Sequence, residues 1–389
     1  MIPDAARPSA AHARSTPLLI RDDIDVTALE AGAWNALAGA QPLLSHAFLA
    51  ALHESGCASP ATGWRPQYLT AWHGHELAGA MPLYGKSHSY GEYVFDWAWA
   101  DAYRRHRRRY YPKLVCAIPF TPVTGDRLLA HDAATRRALL DRALGTMDER
   151  GYSSLHVLFT DAADTAACAA AGMIARDGVQ FHWSNRGYAT FGDYLAAFNH
   201  DKRKKIRQER RRLAEAGMSF ERLSGAAIGA RDWDHFYRCY SNTYAQHGST
   251  PYLSREFFAR LAATMPANLL MVIGRRHGER VCAAFDVHSA TTLWGRYWGA
   301  LDYVPGMHFE ACYYQAIEFC IETKIAVFEG GAQGIHKLAR GLTPVITHSS
   351  HAIGDADFAE AIAEFCARER VDVAHTEGEL ERASPFRQV

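Results

Sequence analysis

Residues 254–261, with the sequence SREFFARL, repeat the spacing of residues 45–52, with the sequence SHAFLAAL. Each segment begins with a serine, and a phenylalanine, an alanine and a leucine follow three, five and seven positions later. This spacing predicts a helix with the serine as N-cap and the apolar residues on one face. Its recurrence in the second part of the chain is the first indication that the chain contains two related halves.

Further matches follow in the same order along both halves. Because long-period self-similarity indicates repeated units, they predict a tandem duplication. The matched residues of the first and second half are Gly74 and Gly278, Ala80 and Ala284, Gly91 and Gly295, Tyr93 and Tyr297, Tyr110-Tyr111 and Tyr313-Tyr314, and Phe120–Gly125 and Phe328–Gly334.

The sequence pattern of each half predicts two helices, an antiparallel hairpin, a third strand, a further helix and a final strand. In the first half the aromatic-rich segment Gly91–Trp99 is the expected third strand. The pattern indicates an α+β fold in which each half has a mixed, mostly antiparallel sheet flanked by helices. We therefore predict a first domain at residues 17–192, a second at 193–389 and a disordered tail at 1–16.

Composition narrows the class of protein. The 389 residues carry 42 Lys plus Arg and 42 Asp plus Glu, so the overall charge favours neither a nucleic-acid nor an acidic partner. The eight cysteines form no CxxC pair, which is typical of reduced core thiols. No apolar run has the length of a membrane span, and the N-terminus has no continuous apolar signal segment. The sequence therefore predicts a soluble, cytoplasmic protein.

A glycine-rich turn lies within residues 327–351, VFEGGAQGIHKLARGLTPVITHSSH. Glycine permits a backbone to approach a ligand closely, because no side chain stands in the way. The turn is followed by three polar residues, His336, Lys337 and Arg340. An ordinary tight turn with solvated basic residues is the alternative interpretation, since an isolated GGxxG has low specificity.

Two segments before this turn carry further candidate residues. In the predicted strand 292–299, TLWGRYWG, the glycines at 295 and 299 indicate a bulge or a close approach by a ligand. Arg296 and Tyr297 are expected to project near that site on alternate faces. The segment 308–318 has helical spacing and places Glu310 in its first turn, where it is either a helix-stabilising charge or a general base.

A strongly basic helix is predicted at residues 199–216. Lysine and arginine occupy eight of the eleven positions from Lys202 to Arg212, and Arg203, Arg207 and Arg211 lie on one face. The charges are either a solvated surface or a contact for an anion such as an RNA backbone, a phosphorylated donor or an acidic membrane. Lys202, Arg203, Lys205 and Arg207 are the candidate anion-binding residues.

The spacing of His348 and His351 does not predict a metal site. Two positions three residues apart in an extended strand point to opposite faces, and no clear carboxylate or cysteine partner accompanies them. No metal is expected.

Five motifs lie in order at residues 119–125 (PFTPVTG), 202–212 (KRKKIRQERRR), 295–299 (GRYWG), 307–315 (MHFEACYYQ) and 331–341 (GAQGIHKLARG). Together they resemble the FemAB-like family of predicted N-acyltransferases, within the Gcn5-related (GNAT) superfamily. This resemblance covers nearly the whole chain after about residue 17. It implies two tandem GNAT-like domains, an activated acyl donor and an amine acceptor, with no other cofactor. The donor is expected to be an aminoacyl ester of tRNA or an acyl-CoA, and the basic helix suits the former.

The resemblance also suggests roles for individual residues in a direct transfer reaction. Glu310 or His336 is the candidate base, and Tyr297 is the candidate donor of a proton to the leaving group. Ile335 stands where the family often has an acidic residue, which shifts weight to Glu310 and Glu329. The remaining expected substrate contacts are Arg296, Gly330, Gly331, Gln333, Gly334, Lys337 and Arg340.

Other functions remain open at this point. If one half is active, we expect it to be the second, with the first as scaffold or acceptor platform. A non-catalytic module that binds RNA or another anionic surface through residues 202–212 is the main alternative, and a hydrolase is a weaker one. No GxSxG motif or Cys/His pair indicates a covalent acyl-enzyme.

Overall fold

The structure is a computed structural model that describes residues 17–331, 334–382 and 385–387. The tail predicted at residues 1–16 lies outside the described residues, as does Gln333.

The first part of the chain alternates short strands with helices. Its strands are β1 (Leu18–Ile24), β2 (Trp64–Pro66), β3 (Tyr68–His73), β4 (Glu76–Met81), β5 (Leu83–Lys86), β6 (Lys113–Cys116), β7 (Leu129–Ala130), β8 (Ser154–Thr160) and β9 (Ile174–Ser184). Its helices are α1 (Ala31–Ala38), α2 (His46–Glu54), α3 (Trp97–Arg105), α4 (Ala133–Glu149) and α5 (Ala162–Ala170).

The rest of the chain repeats this mixture. Its strands are β10 (Met218–Ser224), β11 (Leu269–Arg276), β12 (Glu279–His288), β13 (Thr292–Ala300), β14 (Val327–Glu329) and β15 (Thr343–Ile353). Its helices are α6 (Phe191–Ala196), α7 (His200–Glu215), α8 (Ala230–Gln246), α9 (Arg255–Thr264), α10 (Met307–Phe309), α11 (Gln315–Thr323) and α12 (Ala356–Arg382). A π-helical segment, Glu310–Tyr314, joins α10 to α11, and Ile335–Arg340 forms a 3-10 helix.

The strands form two sheets. The larger has eleven strands in the order β10-β11-β12-β13-β14-β9-β15-β8-β6-β5-β2, and the smaller has the order β1-β3-β4-β7. Neighbouring strands are antiparallel except for the parallel pairs β13–β14 and β6–β8. The expected α+β class with mostly antiparallel sheets is confirmed.

The two halves share the middle of the large sheet. Strand β9 lies between β14 and β15 and pairs with both, with His182 opposite Glu329. Strand β15 in turn pairs with β8, with His351 opposite His156. Each half thus inserts its last strand among strands of the other. The domain boundary at residue 192 stays a prediction, because the sheet is continuous across the two halves.

Helices α2 and α9, which carry the repeated sequence pattern, pack against each other. Ser45 and Ser254 each accept a hydrogen bond from the amide three residues later, as the predicted N-caps require. The rings of Phe48 and Phe257 meet edge to face with their centroids 5.5 Å apart. These residues belong to one buried cluster that contains side chains of both halves. The apolar faces predicted from the sequence therefore form a common core.

Two of the sequence-based equivalences are wrong. Gly91–Trp99 is not a strand: it is a loop that leads into α3, because Trp99 and Tyr103 bury themselves against α12 at helical spacing. Tyr110-Tyr111 precedes β6, whereas Tyr313-Tyr314 lies in the π-helical segment. The hairpin turns do correspond, since Gly74 and Gly278 both have positive φ. The duplication itself stays a prediction.

Candidate functional site

Strands β13 and β14 diverge after three paired residues. The last pair is Trp294 with Glu329, after which β13 continues to Ala300 while the chain leaves β14 through Gly330 and Gly331. Gly331 has a φ of +84°, which favours glycine, and a Cβ on Gly330 would stand 2.8 Å from Leu342 Cδ2. Gly330 and Gly331, with which the predicted glycine turn begins, therefore line the opening between the two strands.

A bulge in β13 places two predicted site residues on one side of the strand. Asp286 lies opposite Gly295 and Phe285 opposite Tyr297, so Arg296 is the extra residue. Arg296 Nη2 and Tyr297 Oη both face the carbonyl oxygen of Phe120, at 2.6 and 3.4 Å. The bulge at residue 295 is confirmed, but the expected alternate faces are wrong, because the extra residue removes the alternation.

Gly299, the other glycine of β13, packs against the backbone of another part of the chain. A Cβ on Gly299 would overlap the carbonyl oxygen of Cys239 in α8. Asn242 and Thr243 of the same helix donate hydrogen bonds to the carbonyl oxygens of Ala300 and Trp298. The expected close approach at residue 299 is therefore made by the backbone of α8.

Glu329 is a nearly buried carboxyl group at the point of divergence. Its side chain is 12% exposed, and its Oε2 lies 3.9 Å from His182 Nε2. Burial raises the pKa of Glu329 to about 7, against the opposing effects of the Trp294 indole and the Arg296 guanidinium. A carboxyl group that titrates near neutral pH has the acidity that a general base needs.

A chain of polar contacts connects Glu329 to the first half. Gln180 Oε1 lies 3.1 Å from His182 Nε2, and Gln180 Nε2 donates to the carbonyl oxygen of Pro122 at 2.9 Å. Burial, together with the charge of Lys337, lowers the pKa of His182 to about 4, so this imidazole is neutral at pH 7. The glycine turn of the second half and the segment Phe120–Gly125 of the first, paired in the sequence, thus lie beside one site.

Lys337 is a buried cation that bonds to the backbone of the glycine turn. Its side chain is almost fully buried, and Nζ donates to the carbonyl oxygen of Gly331 at 2.7 Å. Burial lowers the pKa of Lys337 to about 8. His336 is exposed and lies 3.1 Å from Tyr313 Oη, while burial and the neighbouring cations Lys337 and Arg340 lower its pKa. Lys337 is therefore placed to orient the turn, and His336 faces outward.

Glu310 is engaged in a buried ion pair. Its two oxygens accept hydrogen bonds from Arg210 at 2.8 and 3.0 Å, and Gln315 donates to one of them at 2.8 Å. Burial raises the pKa of Glu310, and Arg210 opposes that shift. Because both oxygens already accept hydrogen bonds from within the protein, this geometry favours a structural role for Glu310 over that of a free general base.

We expect Glu310→Gln to lower the free energy of unfolding by about 1–3 kcal/mol, because Arg210 loses the more buried of its two carboxylate partners and keeps only Glu318. Urea unfolding measures this effect. Glu215→Gln is the matched control, since its ion pair with Arg211 is exposed and the expected change is below about 0.5 kcal/mol. Unchanged stability together with lost activity would restore Glu310 as the base.

Helix α7 confirms the predicted basic helix and is attached to the site region by two residues. Arg340 stacks 3.5 Å above the Phe309 ring and contacts Glu209 of α7 at 3.3 Å, so it joins two elements. Arg210 forms the ion pair with Glu310 described above. The candidate anion-binding residues have no acidic partner within ion-pair distance in the described part of the chain; they are Lys202, Arg203, Lys205 and Arg207.

Sequence reasoning missed several residues around this site. Gln180 and His182 lie in β9 and had no predicted role, although their two-residue spacing places them on one face of the strand. Tyr93 was matched to Tyr297 without a role, yet both line one cavity between the halves. Phe120 contributes a carbonyl oxygen, which no side-chain pattern reveals.

Comparison with known proteins identifies the family. A model of the FemAB-like family, described as peptidoglycan biosynthesis/recognition, matches residues 25–388. The chain therefore belongs to the FemAB-like family. No curated protein matches it.

Solved structures share the fold at low sequence identity. FemX is 10% identical, with a TM-score of 0.54 over 86% of this chain and 98% of its own. L-PGS from Bacillus licheniformis is 12% identical, with a TM-score of 0.49 over 81% of this chain and 94% of its own. A tandem GNAT protein from the clavulanic acid pathway is 12% identical, with a TM-score of 0.47 over 87% and 99%. The likeness to FemX, whose TM-score exceeds 0.5, agrees with the predicted α+β fold. Across the described residues, every helix is too short or too polar to span a bilayer.

Proposed function

We propose that this protein is an N-acyltransferase that moves an acyl or aminoacyl group directly to an amine acceptor. The observation that carries the proposal is Glu329, a carboxyl group with a pKa of about 7 where β13 and β14 diverge beside the glycine turn. Membership in the FemAB-like family supports a transferase.

In the proposed reaction, the acceptor nitrogen attacks the acyl carbonyl carbon and Glu329 takes the proton that the nitrogen loses. A C–N bond forms and the C–O bond of an ester, or the C–S bond of a thioester, breaks. The backbone N–H group of Gly331 is the proposed oxyanion donor, since that of Gly330 already donates to the carbonyl oxygen of Phe181. Lys337 fixes the turn through the carbonyl oxygen of Gly331. Tyr297, whose pKa is raised by burial, stays protonated and gives its proton to the leaving group.

We further propose an aminoacyl ester of RNA as the donor. The support is helix α7, whose cations Lys205 and Arg207 are exposed and without acidic partners, while Glu209 ties the same helix to Arg340 beyond the glycine turn. A polyanion that binds along α7 thus reaches the site. Lys202 and Lys205 also share a small recess with Tyr314 and Arg340.

The direct test offers the purified protein aminoacyl-tRNA or acetyl-CoA together with a mixture of primary amines. We expect mass spectrometry to detect an amide product that depends on aminoacyl-tRNA. A product formed only from acetyl-CoA would replace the proposed donor. Absence of any amide product, together with tight RNA binding, would favour the non-catalytic RNA-binding module.

Reversing two exposed charges on α7 separates donor binding from chemistry. We expect Lys205→Glu combined with Arg207→Glu to raise KM for aminoacyl-tRNA about tenfold or more at unchanged kcat. The slope of log binding constant against log salt concentration should fall by about one per removed cation. Lys324→Glu, an exposed cation at the end of α11, is the control. An unchanged salt slope in the double variant would remove α7 from the donor site.

A further inference from the structure

A cavity of about 280 Å³ lies between the two halves, and one of its lining residues, Arg296, acts electrostatically on the proposed base Glu329. Its wall combines aromatic rings, a few hydroxyl groups, one imidazole and one guanidinium group, and none of its lining residues is acidic. Five of its lining residues would contact a ligand: Tyr93, Tyr240, Tyr244, Arg296 and Tyr297.

Arg296 brings an uncompensated positive charge to this cavity. Its Nη2 donates to neutral groups only, the carbonyl oxygen of Phe120 and the hydroxyls of Thr121 and Tyr297, and its Nε is buried without a partner. Among the described residues, no carboxylate lies within ion-pair distance of it. A guanidinium that is partly withdrawn from water without a counter-ion is costly, so the site favours an anion.

Two carboxyl groups influence Arg296 from further away, but they do not neutralise it. Burial raises the pKa of Asp286 well above its usual value, and that of Glu329 to about 7. Burial therefore disfavours the charged form of Asp286, and Glu329 is charged in only part of the molecules at neutral pH. The charge of Arg296 thus remains available to a ligand.

The aromatic side chains of the cavity wall determine which apolar group a bound anion can carry. Tyr240 lies with its ring centroid 4.9 Å from that of Tyr244 and 5.3 Å from that of Tyr297. Rings at these distances present apolar faces and edges against which a flat group packs. A single guanidinium matches a single negative charge, which suits a carboxylate better than a phosphate dianion.

We propose that this cavity holds the amine acceptor, and that the acceptor is a carboxylate-bearing amine with a flat apolar portion. The carboxylate pairs with Arg296, the flat portion packs among Tyr93, Tyr240 and Tyr244, and the amine reaches toward Glu329. Tyr93 comes from the first half, so both halves shape the acceptor. This proposal rests on the proposed transferase function and specifies its acceptor class.

Four small probes test the three parts of the acceptor separately. L-phenylalanine has the ring, the amine and the carboxylate; L-phenylalaninamide lacks the carboxylate, 3-phenylpropionate lacks the amine, and glycine lacks the ring. Isothermal titration calorimetry on the whole protein should give L-phenylalanine a Kd at least about tenfold lower than that of L-phenylalaninamide, because a charge-assisted contact is lost in the amide. 3-Phenylpropionate should bind and glycine should not.

Variants assign the contacts. Arg296→Met should make the affinities for L-phenylalanine and its amide equal, and Tyr93→Leu should weaken both while keeping their ratio. Tyr303→Leu, at an exposed ring outside the cavity, should change nothing. Because the probe comparison is made on the wild type, it stands even if Arg296→Met fails to fold. Equal or tighter binding of the amide, or no binding of any probe at millimolar concentration, overturns the proposal.

The same titration distinguishes this proposal from the transferase function. The affinity ratio of L-phenylalanine to its amide is measured on the wild-type protein without a donor, so it reports the anion site independently of catalysis. Probe binding with the expected ratio, but no amide product from any donor, would contradict the transferase and retain the anion site. Amide formation with an acceptor that lacks a carboxylate would contradict the acceptor class alone.

Discussion

Replacing Glu329 by glutamine is expected to lower kcat/KM for acyl transfer about 100- to 10,000-fold, which is the usual contribution of a general base. Glutamine keeps the size of the side chain but cannot accept the proton. In the wild type, kcat/KM should rise with pH through a midpoint near 7, where the buried carboxyl group loses its proton. This rise should be absent in the variant.

Although Glu329→Gln should be less active, it should be more stable than the wild type at pH 8. Burial raises the pKa of Glu329 in the folded state, so between pH 4.5 and about 7 the folded protein holds a proton that the unfolded chain has released. The wild type therefore loses stability as the pH rises through this window, and Glu329→Gln does not. We expect the variant to melt at a higher temperature than the wild type at pH 8, with a smaller difference at pH 5.

Glu329→Asp is the matched control for the base. It keeps a titrating carboxylate but shortens its reach, so partial activity with a retained pH dependence is expected. Activity of Glu329→Gln within threefold of the wild type would remove Glu329 from the role and leave His336 as the remaining predicted candidate.

The second large effect concerns Gly299. A Cβ there would overlap the carbonyl oxygen of Cys239, and the backbone of α8 cannot move aside because Asn242 and Thr243 bond it to β13. We therefore expect Gly299→Ala to reduce the free energy of unfolding by about 3 kcal/mol or more. Equilibrium urea unfolding measures this change.

Gly145→Ala is the corresponding control. Gly145 lies within α4, where a Cβ would have no heavy atom closer than 3.8 Å, so alanine should stabilise the protein by about 0.5–1 kcal/mol. If both variants have the same stability, the close contact between α8 and β13 is not what fixes glycine at residue 299.

Much of the fold follows from local patterns. The caps at Ser45 and Ser254, the hairpin turns at Gly74 and Gly278 and the bulge at Gly295 all depend on neighbours within a few residues, and the structure has each of them. Such features are predictable because their geometry is determined by short-range contacts.

The errors occur where distant contacts decide the structure. Gly91–Trp99 is rich in aromatic residues, which favour strands, but its packing against α12 selects a helix from Trp97 onward. The sequence made Glu310 a candidate base, because no local pattern reveals its ion pair with Arg210, a hundred positions away. The contact between Arg296 and Phe120 depends on how the halves meet, which no local pattern contains.

The position of β9 in the large sheet has a consequence for folding during synthesis. Strand β9 ends at Ser184, but both strands that pair with it, β14 and β15, are made more than 140 residues later. During synthesis, this eleven-residue strand therefore lacks its partners until Ile353 has been made. The amides and carbonyls on both of its edges stay unpaired until then. During this interval the two unpaired edges of β9 expose the nascent first half to wrong strand pairing.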